Sequence, residues 1–70
     1  MSHELKEGIK LKLVYWSEGD FVVGKRGVTD IMICEQLGQM SMVPWARIVL
    51  SDEPDQLVNC ALLEGLQLLE

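Results

Sequence analysis

Apolar and polar residues begin to alternate at the ninth position. Ile9, Leu11, Leu13 and Tyr15 interleave with Lys10, Lys12, Val14 and Trp16, a period of two that predicts a strand over 9–16. The apolar character of Val14 and Trp16 on the second face predicts an end covered on both sides or set against a partner. Residues 1–8 are polar, too short to hold a helix without packing, and are expected to fray. Ser17-Glu18-Gly19-Asp20 is a turn cluster in which Gly19 can take a positive φ. Phe21-Val22-Val23 predicts a second strand ended by Gly24, and Lys25-Arg26-Gly27 a basic turn. The continuous apolar run around Ile31-Met32-Ile33-Cys34 predicts a central strand over 28–35, covered on both faces.

Gln36-Leu37-Gly38 reads as a bulged hairpin loop. Alternation resumes over 39–43, with Met40 and Met42 on one face. Pro44 cannot donate to a ladder and marks an edge or a bend. Trp45 to Leu50 continues as a bent strand, and 51–55 is an acidic loop. Residues 56–63 support two readings. They form either a strand over 57–62, followed by another over 66–69, or one helix at about 54–64 that ends near Gly65. The first gives a mainly β chain, a five-stranded, strongly bent antiparallel sheet or SH3-like barrel. The second gives an α+β fold, a four-stranded antiparallel sheet with one C-terminal helix.

Seventy residues allow a single small domain, 1–70. At this mass, folding buries about 60% of the surface that the unfolded chain exposes. That burial contributes about 105 kcal/mol at ~25 cal/mol/Å², and ordering the chain costs about the same at ~1.5 kcal/mol per residue. A monomer therefore breaks even, and leftover apolar area invites a partner. The net charge of −5 is uneven: residues 1–28 carry five bases and four acids (+1), and residues 29–70 one base and seven acids (−6). An acidic chain is a poor general nucleic-acid binder, because phosphate contacts supply most of that affinity. With no membrane-length apolar run and no signal peptide, the chain is expected to be cytoplasmic. There, Cys34 and Cys60 are expected to remain thiols.

Candidate chemistry is sparse. His3 is the sole histidine, and both cysteines lie in apolar stretches that disfavour a thiolate, so no catalytic activity is expected. Two cysteines 26 positions apart and one histidine make no metal-ligand spacing, and no cofactor motif is present. Asp52, Glu53 and Asp55 lack the glycine and the distal glutamate of a calcium loop, so they read as a solvated tip. Lys25 and Arg26 between glycines do not match either phosphate-loop pattern. The distinctive feature is Met42-Val43-Pro44-Trp45 with Arg47 nearby, because Met, Trp and Arg are enriched at binding surfaces.

The expected function is a non-catalytic protein–protein interaction module, a homodimer or the partner of another protein. It would bind through Trp16, Met42, Pro44, Trp45 and Arg47. Lys25, Arg26, Asp52, Glu53 and Asp55 would serve as peripheral charged contacts. One alternative is an acidic inhibitor or accessory protein of a basic, nucleic-acid-handling partner. The other is a small barrel that binds nucleic acid weakly through Lys10, Lys12 and Trp16 together with Lys25 and Arg26.

Overall fold

The computed structural model describes residues 6–34 and 44–69. They are mainly β with almost no helix, arranged as two three-stranded antiparallel sheets that do not close into a barrel. The described residues form six strands: β1 (Leu11–Trp16), β2 (Gly19–Val22), β3 (Val28–Cys34), β4 (Trp45–Leu50), β5 (Gln56–Asn59) and β6 (Gly65–Leu68). One sheet has the order β2-β1-β6 and the other β3-β4-β5. The alternation over 39–43, with Met40 and Met42, lies outside the described residues, as does His3.

β1 starts two residues later than its alternation predicts, and Lys10 makes an isolated bridge to Met32. β2 starts earlier than predicted, because Trp16 pairs with Gly19 across a two-residue turn at Ser17-Glu18. Gly19 does not take a positive φ. The left-handed residues among those described are Gly8, Gly24, Gly27 and, unusually for a side chain, Arg26 at φ 51°. Three of these, 24, 26 and 27, shape the tight turn from β2 into β3. There Gly24 N–H donates to Val28 C=O at 2.8 Å and Val28 N–H to Lys25 C=O at 3.0 Å.

The helix expected as an alternative at 54–64 does not form. Gln56–Asn59 pairs with β4, and only Cys60–Leu62 turns, as a single 3₁₀ segment capped by the Asn59 side chain. The reason is the pattern itself. Wound as an α-helix, Leu57, Val58, Cys60, Ala61, Leu62 and Leu63 would project on every side and leave no polar face for water. As a strand the same stretch sends Val58 into the core opposite Ala46 and turns Leu57 outward.

The core is aliphatic. Leu11, Val14, Ile31, Ala46 and Ile48 are fully buried, with Val28, Ile33 and Val58 nearly so. Trp16, Phe21, Leu63 and Leu66 pack against this cluster while partly exposed. The cross-strand partners Ile31–Ile48 and Ile33–Ala46 put the apolar run of β3 over the residues of β1, so each sheet covers the other. The sheets also share backbone bonds at one side. Gly8 N–H donates to Ile33 C=O at 2.8 Å, and Ile33 N–H to Ile9 C=O at 2.9 Å. On the opposite side β5 and β6 are joined by the 3₁₀ segment and do not pair.

Candidate interaction surface

Trp16 and Trp45 do not share a surface. A register shift lies between Leu11 and Leu13 where β1 meets β6. Beyond it, Val14 points into the core, and Trp16, two residues on, points the same way. Its ring lies 5.7 Å from that of Phe21, tilted by 35°, the geometry of a favourable aromatic pair. Trp45 follows the opposite phase. It alternates with the buried Ala46 and stands on the outer face of β4, between Cys34 and Asn59. Its indole Nε1 is buried without a hydrogen-bond acceptor among the described residues. An unsatisfied buried donor costs about 1–3 kcal/mol.

Arg47 shares the outer face with Trp45. It sits between Met32 and Leu57, and its Nε is 4.0 Å from an Asp55 carboxylate oxygen. Pro44 is half-buried just before β4 and receives the Cys60 N–H at 3.0 Å. Met42 lies outside the described residues. Of the five residues singled out for partner binding, the structure therefore brings together Pro44, Trp45 and Arg47, and it turns Trp16 inward.

The charged residues fall at one end. Ser51 N–H donates to Gly27 C=O at 2.9 Å, which seats the basic turn beside the acidic loop. A Cβ at Gly27 would come 3.2 Å from Ser51 Oγ, so that close approach, together with its φ of 81°, calls for glycine. Arg26 is held by Asp20 at 2.7 Å. Lys25, Asp52 and Glu53 are exposed. Lys10 is tied to Asp30 at 2.5 Å. With Lys10 paired and Trp16 facing the core, the basic–aromatic combination of Lys10, Lys12 and Trp16 is not presented on one face.

Both cysteines are free thiols. Cys34 is buried. Partial burial, reinforced by the neighbouring Cys34, pushes the Cys60 thiol up to about 11, so Cys60 carries no ready thiolate at neutral pH. Among the described residues no cluster of His, Cys, Asp and Glu could hold a metal ion, and no helix is long and apolar enough to cross a membrane.

Sequence reasoning missed the apolar surface that the structure leaves open. The exposed large apolar side chains among the described residues are Tyr15, Leu57, Leu62, Leu68 and Leu69. Three of these five belong to β5, the 3₁₀ segment and β6, and Leu69 directly follows β6. A signal was present: between Gln56 and Leu69 the sole charged residue is Glu64. A surface hollow lined by Lys12, Gln67, Leu68 and Leu69 lies at the end of β6. No family model matches this chain, and neither a curated protein nor a solved structure shows significant similarity to it.

Proposed function

We propose that this chain is a non-catalytic protein–protein interaction module that binds further copies of itself through its C-terminal apolar region. The supporting observation is the concentration of exposed leucines at 57, 62, 68 and 69. These exposed leucines recur along one stretch of the chain, from β5 through the 3₁₀ segment to the end of β6, and exposed apolar area of this kind invites a partner. Trp45 and Arg47 extend it across the outer face of β4, next to Leu57. We read the scaffold as a strongly bent sheet of SH3-like kind. In it β2 and β3 act as successive parts of one position, which gives the order β6, β1, β2 with β3, β4, β5. The backbone bonds from residues 8–9 to β3, continuing the edge of β1 that β2 uses, support this reading.

A second reading has support in the acidic loop. Asp52 and Glu53 are exposed and have no basic partner among the described residues, as a chain that docks on a basic protein would require. Salt separates the two. Apolar association persists at high ionic strength, whereas exposed charge contacts weaken as the Debye length falls from about 10 Å at 0.1 M to about 3 Å at 1 M. Light scattering over a concentration series, at low and high salt, tests the proposal. A mass that is a multiple of 7.9 kDa and persists in high salt is expected. A mass of 7.9 kDa throughout would overturn self-association.

A further inference from the structure

We infer that copies of this chain join head to tail, with β5 of one adding antiparallel to β6 of the next. This rests on the self-association proposed above and specifies how it happens. A free strand edge presents a row of unpaired amides and carbonyls, and proteins normally blunt it with charge, proline or cover. Here the free edge of β2 carries Asp20, held by Arg26, and β3 is partly covered by residues 8–10. The outer edges of β5 and β6 have no such protection among the described residues. Gln56–Asn59 and Gly65–Leu68 contain neither charge nor proline, and each is four residues long.

The hydrogen-bond phase shows which amides are open. Cys60 N–H points to Pro44, just before β4, so alternation turns the Val58 amide toward β4 and the Leu57 and Asn59 amides outward. Leu69 N–H points to Lys10, so the Leu68 amide turns away from β1. The exposed leucines lie along both edges. A two-fold pairing of β5 with β5, or of β6 with β6, would cover one edge and leave the other open. Pairing β5 with β6 covers both and repeats from copy to copy.

Charge sets the direction. Asp55 immediately precedes β5, Lys12 stands beside Leu68 and Leu69 at the end of β6, and Glu64 precedes β6. Antiparallel addition brings Asp55 of one copy to Lys12 of the next. Parallel addition would instead set Asp55 beside Glu64, two like charges. Lys12 has no ionic partner among the described residues of its own chain.

Two edge variants test the inference. Leu57→Pro and Leu68→Pro each remove an outward amide and leave the bonds to β4 or β1 in place, a position where proline is tolerated. Each variant alone should scatter as 7.9 kDa. Mixed in equal amounts, they should recover a two-chain species of about 16 kDa, twice 7.9, because one retains a working β6 edge and the other a working β5 edge. Either variant keeping the wild-type mass, or a mixture of folded variants that stays at one chain, overturns the head-to-tail pairing. A wild-type chain that is itself monomeric overturns the self-association reading as well, so the two failures are distinguishable. The charge variants need no proline. Lys12→Glu should weaken assembly about two- to fivefold, the effect of one exposed ion pair, and adding Asp55→Lys should restore it. No weakening, or no recovery in the double variant, overturns the antiparallel direction.

Discussion

The two sides of this molecule treat strand edges in opposite ways. At the seam, residues 8–10 run beside β3, and Gly8, Ile9 and Ile33 exchange backbone hydrogen bonds. Beneath them Leu11, Ile31 and Ile33 have at most 1% of their surface exposed. Across the molecule, β5 and β6 have no partner on their outer sides among the described residues, and leucines stand in solvent around them. Both sides are built from short apolar strands. They differ in that, among the described residues, one has its partner and the other has none. A small domain that barely balances burial against chain entropy can close one side of a bent sheet and leave the other for a second molecule.

Substitutions should separate the two sides, and the largest effect belongs to the seam. Ile33→Ala removes buried methylenes beneath paired backbone and should cost about 3 kcal/mol in urea unfolding. Leu57→Ala in dilute protein should cost about 0.5 kcal/mol or less, because that side chain is 41% exposed. Equal losses at the two positions would erase the distinction.

Cys60 stands at the rim of the open side, where the 3₁₀ segment starts. With its thiol at about 11 instead of 9.0, the thiolate at pH 8 is about 100-fold scarcer than in an unfolded chain. Alkylation of Cys60, followed by peptide mass, should slow by about that factor on folding. The raised value means that the folded state holds the proton more tightly. The resulting stability is full below pH 9 and should be lost as the pH rises through about 11. Unchanged alkylation on folding would show a rim more open than this structure.

A smaller effect is expected at the start of β6. The Tyr15 ring lies directly over Gly65, its cross-strand partner, where a Cβ would overlap the ring. Gly65→Ala should cost about 1 kcal/mol by displacing the ring, the scale of one cross-strand pair. In a Tyr15→Ala background the cost should largely vanish, so the pair should be non-additive in a double-mutant cycle. The smallest change is expected for Asp20→Asn. Its ion pair with Arg26 is solvent-exposed, so unfolding free energy should move by about 0.5 kcal/mol or less, and salt should shrink even that.

Local pattern carries the strands whose faces differ, and it fails where long-range pairing decides. The alternation of Ile9 to Trp16 places β1 within two residues, and the run Ile31 to Cys34 places the centre of β3. The facing of Trp16 depends on a register shift near Lys12, which no local rule signals. Residues 57–63 are apolar at nearly every position, so neither period two nor period 3.6 stands out. Only pairing with β4 divides them into strand and 3₁₀ turn. For the same reason the sequence pattern groups Trp16, Met42, Pro44, Trp45 and Arg47, whereas the structure sets Trp45 and Arg47 on one face of β4 and turns Trp16 inward. The open edges of β5 and β6 are a property of topology, visible once the partners of every other strand are known.

Amide hydrogen exchange across a protein concentration series tests the central claim most directly, because it reads both sides in one sample. The Ile33 amide, bonded to Ile9, should exchange slowly at every concentration. The Leu57 and Leu68 amides should exchange fast in dilute protein and become protected as concentration rises. Leu57 and Leu68 amides that stay unprotected while the chain is fully assembled would contradict the account.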